Sequence, residues 1–419
     1  MLIFKILSTL IFVAILPFVY IVRAIQGKFL DGWKEKLGAV NPPDLDGEVV
    51  MFHGVSVGEI IALENLIKKT KERYPNVKIV VTTGTQTGQN IAHKKYGEIA
   101  DFVTYFPFDI PFSVGKFLDK IRPNIVFIAE TEIWPNFANL CYSRGIKLFI
   151  INGRISDSTF KSYKIARVFF KFIFSFYTGI FTQSEIDNQK MLYLGANPET
   201  TKVMGNLKFD IKKIDSSFDL GQKGFRVILA GSTHHEENDL ILNTFKSLKN
   251  KFKDIKLLIA PRHLNRVEQI AQLAKEHKLT FGYRSKGDGF TEYDVIILDT
   301  LGELSKIYTI CHFAFIGGSF NKTGGHNPLE AAVYAKPTIT GPSVHNFRDI
   351  YGLLSRSNAG KIVKNQIELQ AYMERLLGDN EFYNKACTDC KTVFENQKGA
   401  LEFVINLLDS LIPTEKTDS

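Results

Sequence analysis

Residues 48–74 read EVVMFHGVSVGEIIALENLIKKTKERY, an apolar run that stops at Gly54 and is followed by an amphipathic stretch. The apolar run is typical of a buried strand, and the spacing of the later apolar residues predicts a helix. Ser56, Gly58 and Glu59 occupy the turn between them. The stretch therefore predicts strand, turn and helix, the unit of a parallel sheet with crossover helices.

The same alternation continues along the chain. Further predicted strands are VKIVVTTGT, PNIVFIAET, IKLFIINGR and TGIFTQS in the first half, then RVILAGST, IKLLIAPRH, DVIILDT, HFAFIGGS and KPTITGP in the second. The segment 206–225 between the two series is rich in turn and charged residues, which indicates a hinge. We expect two doubly wound, Rossmann-like α/β domains over 38–210 and 224–410. They would face each other and bind ligands at the carboxyl ends of their strands.

The composition limits the classes of molecule that this protein is expected to bind. A chain of 419 residues is long enough for two domains. A net charge of +8 favours an anionic partner, such as a phosphorylated substrate, a membrane surface or nucleic acid, although many basic proteins have none. Nucleic acid is disfavoured because no DNA- or RNA-binding motif is present. The four cysteines are dispersed, which indicates reduced thiols in a cytoplasmic compartment, and the pair Cys387 and Cys390 lacks further zinc ligands.

The N-terminal residues 2–22, LIFKILSTLIFVAILPFVYIV, are apolar for the length needed to cross a bilayer core. Arg23, Lys28 and Lys34 follow this run, so the positive-inside rule predicts that the rest of the chain is cytoplasmic. A cleaved signal peptide is the alternative, but Arg23 lies where a cleavage site would be expected. We therefore predict a single-pass membrane anchor at residues 1–26.

A second segment suited to a membrane is 159–177, which we read as one helix. Lys161, Lys164, Arg167 and Lys171 form a basic stripe, and phenylalanines occupy most of the remainder. A basic aromatic helix can lie on an anionic membrane, but it can equally pack its aromatic rings into its own domain.

Three acidic residues and one lysine are candidates for chemistry in the first half. Glu59 would lie in the first turn of a helix, where the helix dipole favours an ionised carboxylate that could take a proton from a hydroxyl, or that only stabilises the helix. Glu130 and Glu132 end a predicted strand on one face, where they could bind sugar hydroxyls or hold a basic residue. Lys208 is a possible partner for an acid or for a developing negative charge, or simply a solvated linker lysine.

The second half offers candidates for holding a phosphate. Ser232 and Thr233 form a polar turn before a helix, and Arg262 ends a strand. The pattern at 324–330, GGHNPLE, predicts a Gly-rich loop with Asn327 as N-cap and Pro328 as the first helical residue. Glu330 could complete a capping box or bind a ribose diol. Neither a GxGxxG followed by an acid nor a Walker lysine is present.

Taken in order, the motifs HGVSVGE, TTGTQTG, ETEIWPN, NGRIS, GNLKFD, AGSTH, PRH and GGHNPLEAA closely resemble the 3-deoxy-D-manno-octulosonic acid (Kdo) transferases of lipopolysaccharide biosynthesis. The resemblance runs from about residue 1 to about residue 400. It implies a GT-B glycosyltransferase fold and an enzyme of the cell inner membrane. The N-terminal domain would bind the acceptor lipid IVA, and the C-terminal domain would bind the donor CMP-Kdo. It also implies transfer with inversion and without a cofactor.

Residue by residue, the resemblance implies Glu59 as general base, with Glu130 and Lys208 supporting the transition state. The residues it places at the donor are Ser232, Thr233, Pro261, Arg262, Gly302, Glu303, Leu304, Gly324, Gly325, Asn327, Pro328, Leu329 and Glu330. Those on the acceptor side are Ser56, Gly58, Thr85, Glu132 and Arg154. No metal site is expected, since the Asp-x-Asp at Asp44–Asp46 falls in a turn-rich linker.

Two alternatives stay open on the residues alone. One is a GT-B enzyme that uses a UDP-sugar and a lipid acceptor, which would need more charge to neutralise a diphosphate. The other is a non-catalytic, membrane-tethered protein that binds nucleotide sugars, which would have no need of Glu59 as a base.

Overall fold

The computed structural model describes residues 32–211, 213–214 and 218–412, and the predicted anchor at residues 1–26 lies outside them. In the part of the chain that is described, no helix has the length and apolar character of a membrane span. The chain divides into two compact units. The first domain comprises Met1–Asp210 with Gln397–Ser419, and the second comprises Ile211–Asn396.

The first domain contains a seven-stranded parallel sheet in the order β3-β2-β1-β4-β5-β6-β7. The strands are β1 Val49–Gly54, β2 Lys78–Thr83, β3 Phe102–Tyr105, β4 Ile125–Ala129, β5 Lys147–Gly153, β6 Gly179–Thr182 and β7 Thr201–Val203. The helices are α1 Trp33–Lys36, α2 Val57–Ala62, α3 Glu64–Arg73, α4 Gln86–Tyr96, α5 Pro111–Ile121, α6 Pro135–Ser143, α7 Asp157–Ile165, α8 Arg167–Phe174 and α9 Glu185–Leu194. A 3-10 turn follows at Leu207–Phe209.

The second domain repeats this architecture, with a parallel sheet in the order β10-β11-β9-β8-β12-β13-β14. Its strands are β8 Arg226–Thr233, β9 Ile255–Pro261, β10 Phe281–Tyr283, β11 Val295–Ile297, β12 Cys311–Ile316, β13 Thr338–Thr340 and β14 Gly360–Ile362. Its helices are α10 His235–Lys251, α11 Val267–Glu276, α12 Leu304–Ile307, α13 Leu329–Ala332, α14 Arg348–Arg356, α15 Gln366–Gly378 and α16 Asn380–Gln397. Two 3-10 turns lie at Leu264–Arg266 and Arg284–Lys286.

Each sheet is buried on both faces because crossover helices cover both sides. The central strands are therefore apolar throughout: every residue of β1 and of β4 is buried. Separate apolar clusters lie on the two sides of each sheet. The two predicted doubly wound domains are confirmed. Because all strands run parallel within a sheet, their carboxyl ends meet at one edge, and the candidate site residues follow from those ends.

The C-terminal boundary of the second domain differs from the expected residue 410. The last described helix, α17 Ala400–Leu411, belongs to the first domain. Its buried residues Val404, Ile405 and Leu408 join the apolar cluster formed by α3 and one face of the first sheet. Asp210 fixes its start by accepting hydrogen bonds from the Gly399 and Leu401 amides, each at 2.7 Å. The chain thus returns to its first domain, a contact that apolar spacing alone could not assign.

The predicted single helix at 159–177 is wrong, because the chain breaks at Ala166 into α7 and α8. The break lets Phe170 approach Tyr163, with ring centroids 4.2 Å apart. Phe170, Ile173 and Phe174 are buried in the domain core, whereas Ile165 and Val168 are exposed.

Candidate active site

Glu59 lies in the turn between β1 and α2, and its carboxylate folds back over that turn. One oxygen accepts from the Val55 amide at 2.6 Å and the other from the Ser56 hydroxyl at 2.7 Å. Ser56 is the N-cap of α2. At Gly54 a Cβ would lie 3.1 Å from the Cβ of Glu59, a tight contact that would require a neighbour to shift by a few tenths of an ångström. At Gly58 a Cβ would meet only the Ser56 hydroxyl, at 3.8 Å, so no such constraint applies.

Burial opposes the effect of the helix dipole that the sequence predicts for Glu59. Burial raises the pKa of Glu59, and the neighbouring Glu130 carboxylate raises it further, while the hydrogen bond from Ser56 acts in the opposite direction. The side chain is only 8% exposed, so desolvation outweighs the helix terminus. A carboxylate with a raised pKa is a better proton acceptor once ionised, which strengthens the case for a general base.

Glu130 and Glu132 follow directly from the carboxyl end of β4. Glu130 adopts a left-handed backbone with φ 58°, which is strained for a residue other than glycine and is typical of functional sites. Burial raises the pKa of Glu132 to about 7, with contributions from the charges of Glu59 and Glu130. The charges of Glu59 and Glu130 therefore act on Glu132, and the three predicted carboxyl groups form one electrostatic cluster.

Lys208 supplies the positive charge beside this group. Its Nζ lies 3.4 Å from Oε1 of Glu130, and both side chains are about three-quarters buried. The sequence left open whether Lys208 was merely a solvated lysine. The structure shows that Lys208 is paired with Glu130 and is not simply a solvated lysine.

A buried amide network holds the Lys208 turn in place. Asn206 accepts from the Lys208 amide at 3.0 Å and donates to the Gln183 side chain at 3.0 Å. Gln183 in turn donates to the Asn152 carbonyl at 3.0 Å, and the Asn152 side chain accepts from the Leu207 amide at 3.0 Å. The sequence shows polar residues at these strand ends, but their pattern gave no indication of this role.

Two other acceptor-side candidates also occupy turns at this edge of the sheet. Thr85 caps α4 and donates to the Val55 carbonyl at 3.1 Å, so it braces the turn that carries Glu59. The backbone of Arg154 exchanges two hydrogen bonds with the hydroxyl of Thr131, which lies between Glu130 and Glu132.

In the second domain, Pro261 ends β9 and Arg262 follows it, with its amide donating to the Thr233 carbonyl at 2.9 Å. The positive charge of Arg262 acts on two nearby groups, Glu330 and His326. It opposes the increase that burial imposes on the pKa of Glu330, and it contributes to the low pKa of His326. Arg262, His326 and Glu330 therefore form one electrostatic group within this domain.

The loop before α13 departs from the predicted helix start. α13 begins at Leu329 with Pro328 as its N-cap, while the Asn327 side chain accepts from the Leu329 amide at 3.0 Å. The helix has four residues, too few for a strong terminal dipole. Gly324 has φ 97°, and a Cβ on it would lie 2.4 Å from the His345 ring. Gly325 donates to the Gly318 carbonyl at 2.8 Å.

Gly302, Glu303 and Leu304 form the turn into α12. Gly302 adopts φ 80° with open space at its Cβ position, so the backbone there can approach a ligand closely. Glu303 is fixed by Arg284, whose Nη2 lies 3.1 Å from its carboxylate, and by the Thr300 hydroxyl. Arg284 was not anticipated from the sequence.

Glu237 is the most extensively hydrogen-bonded carboxylate among these residues, and it too was missed. It is fully buried in the first turn of α10. It accepts from the amides of His234, Gly318, Ser319 and Phe320 at 2.8–3.0 Å, and from the Ser319 hydroxyl at 3.1 Å. The amides after β12 are therefore occupied by protein. Ser232, at φ 54°, and the buried Thr233 lie at the end of β8 beside this loop.

Within residues 32–211, 213–214 and 218–412, no group of three or more His, Cys, Asp or Glu side chains is arranged to hold a metal ion.

Comparisons with known proteins identify relatives of this chain. A family model described as 3-deoxy-D-manno-octulosonic-acid transferase (kdotransferase) matches residues 31–211. The 3-deoxy-D-manno-octulosonic acid transferase of Haemophilus influenzae is 32% identical over 368 residues, which cover 86% of this chain and 86% of that protein. The enzyme of the same name from Rickettsia felis is 33% identical over 369 residues, which cover 85% of this chain and 76% of that protein.

Solved structures agree on the architecture. Acinetobacter baumannii MurG has a TM-score of 0.53 at 11% identity, covering 87% of this chain and 100% of its own. UDP-GlcNAc 2-epimerase from Neisseria meningitidis, bound to UDP-GlcNAc, has a TM-score of 0.53 at 14% identity. The alignment covers 86% of this chain and 99% of the epimerase chain. At such identities the likeness shows the fold alone, which is two Rossmann-like domains of the GT-B-like kind.

Proposed function

This chain belongs to the 3-deoxy-D-manno-octulosonic acid transferase family, a family that transfers Kdo from CMP-Kdo in lipopolysaccharide biosynthesis, and we propose that its acceptor is lipid IVA and that transfer inverts the anomeric centre. The observation that carries the mechanism is the buried Glu59 carboxylate beside Glu130 and Lys208. That arrangement offers a proton acceptor with a raised pKa and a fixed positive charge.

The proposed reaction is a single displacement. A hydroxyl oxygen of the acceptor attacks the anomeric carbon of Kdo, and the bond from that carbon to the phosphate oxygen breaks. CMP leaves with the bonding electrons, and Glu59 takes the hydroxyl proton. Since Glu59 acts on the acceptor and forms no bond to the sugar, attack opposite the leaving group inverts the configuration. Lys208, held by Glu130 and the amide network, adds electrostatic stabilisation.

The second domain is proposed to bind the cytidine nucleotide. Arg262 suits the single phosphate of CMP, and the buried Glu330 beside it could accept from ribose hydroxyls. The turn at Gly302 offers open backbone, with Glu303 fixed by Arg284. A monophosphate leaving group needs less neutralisation than the diphosphate of a UDP-sugar, and one arginine beside a very short helix suits the smaller charge.

The assay that tests this function combines purified protein, lipid IVA and a supply of CMP-Kdo. We expect mass spectrometry to show the lipid gaining one or more Kdo units, and CMP to inhibit transfer more strongly than UDP. If UDP inhibits more strongly and a UDP-sugar serves as donor, the protein is instead a GT-B enzyme that uses UDP-sugars. If the protein binds CMP but the lipid gains no mass, it is instead a non-catalytic protein that binds nucleotide sugars.

We also propose that the first domain contacts the membrane through α7 and α8, at the cytoplasmic face of the inner membrane. Ile165 is 91% exposed and Val168 is 85% exposed. The cations of Lys164 and Arg167 lie about 5 Å from the Tyr193 ring centre. Exposed apolar side chains bordered by cations match an anionic lipid surface. Under this proposal the segment both contacts the membrane and stabilises its own domain, since Phe170, Ile173 and Phe174 are buried in the core.

Replacing Ile165 and Val168 together with serine tests the proposed membrane contact. We expect KM for lipid IVA presented in anionic vesicles to increase several-fold, because the interfacial contact is lost, while activity on detergent-dispersed lipid IVA is unchanged. Ile367→Ser is the matched control, since Ile367 is 80% exposed in the second domain. Equal kinetics of the double variant and the control on vesicles would contradict the proposal.

A further inference from the structure

The turn that carries Lys208 lies against residues 397–401, which come from a distant part of the chain. Lys208 is the middle residue of the 3-10 turn Leu207–Phe209. Immediately before this turn, the Asn206 amide donates to the Gln397 carbonyl at 2.9 Å. The Asn206 side chain accepts from the Lys208 amide at 3.0 Å, so one residue joins Lys208 to the distant segment. The start of the turn is therefore fixed from outside its own stretch of sequence.

The other end of the turn is fixed by Asp210. Its two carboxylate oxygens accept separately from the Gly399 and Leu401 amides, each at 2.7 Å. These amides lie at the start of α17, where backbone donors lack partners within the helix, and Gly399 has no side chain that could cap them. A carboxylate at this position also interacts favourably with the helix dipole. Asp210 therefore joins the end of the Lys208 turn to α17 through charge-assisted hydrogen bonds.

Close packing also joins the two segments. Gly205 has φ 87°, and a Cβ on it would lie 2.8 Å from the Gln397 carbonyl oxygen. Leu207 is buried in the apolar cluster that includes Ala400 and Val404 of α17. Because a close-packed cluster resists small displacements of its members, the backbone of the turn is held at the position that α17 sets.

We propose that Asp210, together with the start of α17, is a positioning residue for the reaction and holds the Lys208 ammonium in place beside Glu130. Asp210 acts only through Lys208 and does not touch the substrate. A displacement of about 1 Å in a catalytic group can lower a rate by about 10²-fold, so fixing the backbone of Lys208 matters for its charge. The inference rests on the proposed function, specifically on the electrostatic role of Lys208.

The first test is Asp210→Ala. We expect kcat for Kdo transfer to decrease by about tenfold or more, because the Lys208 turn is no longer held. KM for CMP-Kdo and the affinity for CMP should stay within about twofold of the unmodified protein, since the donor does not contact this turn in the proposed function. Asp210→Asn should recover part of the lost kcat, because its single carbonyl oxygen can still accept from one of the two amides.

A double-mutant cycle separates a positioning role from a purely structural one. Lys208→Met alone should lower kcat by about 10²–10³-fold, as for the loss of a group that stabilises the transition state. Adding Asp210→Ala to Lys208→Met should change kcat by less than about twofold, because no charge remains to be misplaced. A general loss of stability would instead lower kcat equally in both backgrounds. Asp210→Asn enters the same cycle, so the test does not depend on whether Asp210→Ala folds.

The matched control is Asp101→Ala. Asp101 is also a partly buried carboxylate of the first domain, and it accepts from the Ile79 amide at 2.9 Å. It directly precedes β3, so it lies at the amino ends of the strands, on the edge of the sheet opposite the candidate site. We expect Asp101→Ala to lower the unfolding temperature and to leave kcat unchanged below that temperature.

Three results would overturn the role of Asp210. They are an unchanged kcat in Asp210→Ala, an equal loss of kcat in the presence and absence of Lys208, and an increase in KM for CMP-Kdo without a change in kcat. Failure of the proposed function has a different signature, in which Lys208→Met keeps the kcat of the unmodified protein or the unmodified protein transfers no Kdo.

Discussion

Replacing Glu59 with glutamine is expected to lower kcat for Kdo transfer by about 10²–10⁴-fold, because the acceptor hydroxyl loses its general base. Affinity for CMP, measured by calorimetry, should be unchanged, since the residues proposed to bind the donor belong to the other domain. The wild-type kcat/KM should decrease as the pH falls through the raised pKa of Glu59, because protonation removes the base. In Glu59→Gln this acid limb should disappear along with most of the activity.

The control for Glu59→Gln is Ser56→Ala. Glutamine cannot accept hydrogen bonds from both Val55 and Ser56 through two oxygens, so some of its effect could come from the turn itself. Ser56→Ala removes one of these contacts and keeps the carboxylate. It should retain substantial activity, with the acid limb shifted to higher pH, since the lost hydrogen bond had lowered the pKa of Glu59. If Ser56→Ala and Glu59→Gln lose equal activity, or if Glu59→Gln stays within tenfold of wild type, Glu59 is not the base.

The central strands of both sheets could be predicted from sequence, while the edge strands could not. β1, β4, β8 and β9 are buried on both faces, so their residues form continuous apolar runs. The strands that the sequence did not indicate are the outermost ones, β3, β7, β10 and β14, which have three or four residues each. An edge strand pairs on one side only and can be short and partly exposed. Its composition then resembles that of a loop.

The candidate site was also only partly predictable, because some of its features follow from local sequence and others from contacts between distant residues. Glu59, Glu130 and Lys208 are recognisable because each ends a strand or begins a helix, and parallel topology brings such residues to one edge. Their positions depend on contacts that local sequence does not encode. The amide network from Asn152 through Gln183 to Asn206 joins loops after β5, β6 and β7. Glu237 bonds to residues about 80 positions further along the chain.

Replacing Glu237 with alanine is expected to reduce the free energy of unfolding of the second domain by about 3–5 kcal/mol, measured by urea denaturation. The substitution leaves the buried amides of Gly318 and Ser319, and the partly buried amide of Phe320, without their acceptor. Glu237→Gln should cost less, because its remaining oxygen can keep some of these bonds while its amide group faces other donors. CMP affinity should fall in both variants, since the affected loop leads directly to 324–330.

Glu236→Ala is the matched control for Glu237→Ala. Both acids lie in the first turn of α10, where either would interact favourably with the helix terminus, but Glu236 is exposed. If Glu237 interacted only with the helix terminus, as its sequence position suggests, both substitutions would lower the free energy of unfolding by well under about 1 kcal/mol. A difference of several kcal/mol between them would instead assign its role to the loop after β12. That loop would then owe its conformation to a carboxylate from another helix, and the nucleotide site would depend on a residue that never touches the nucleotide.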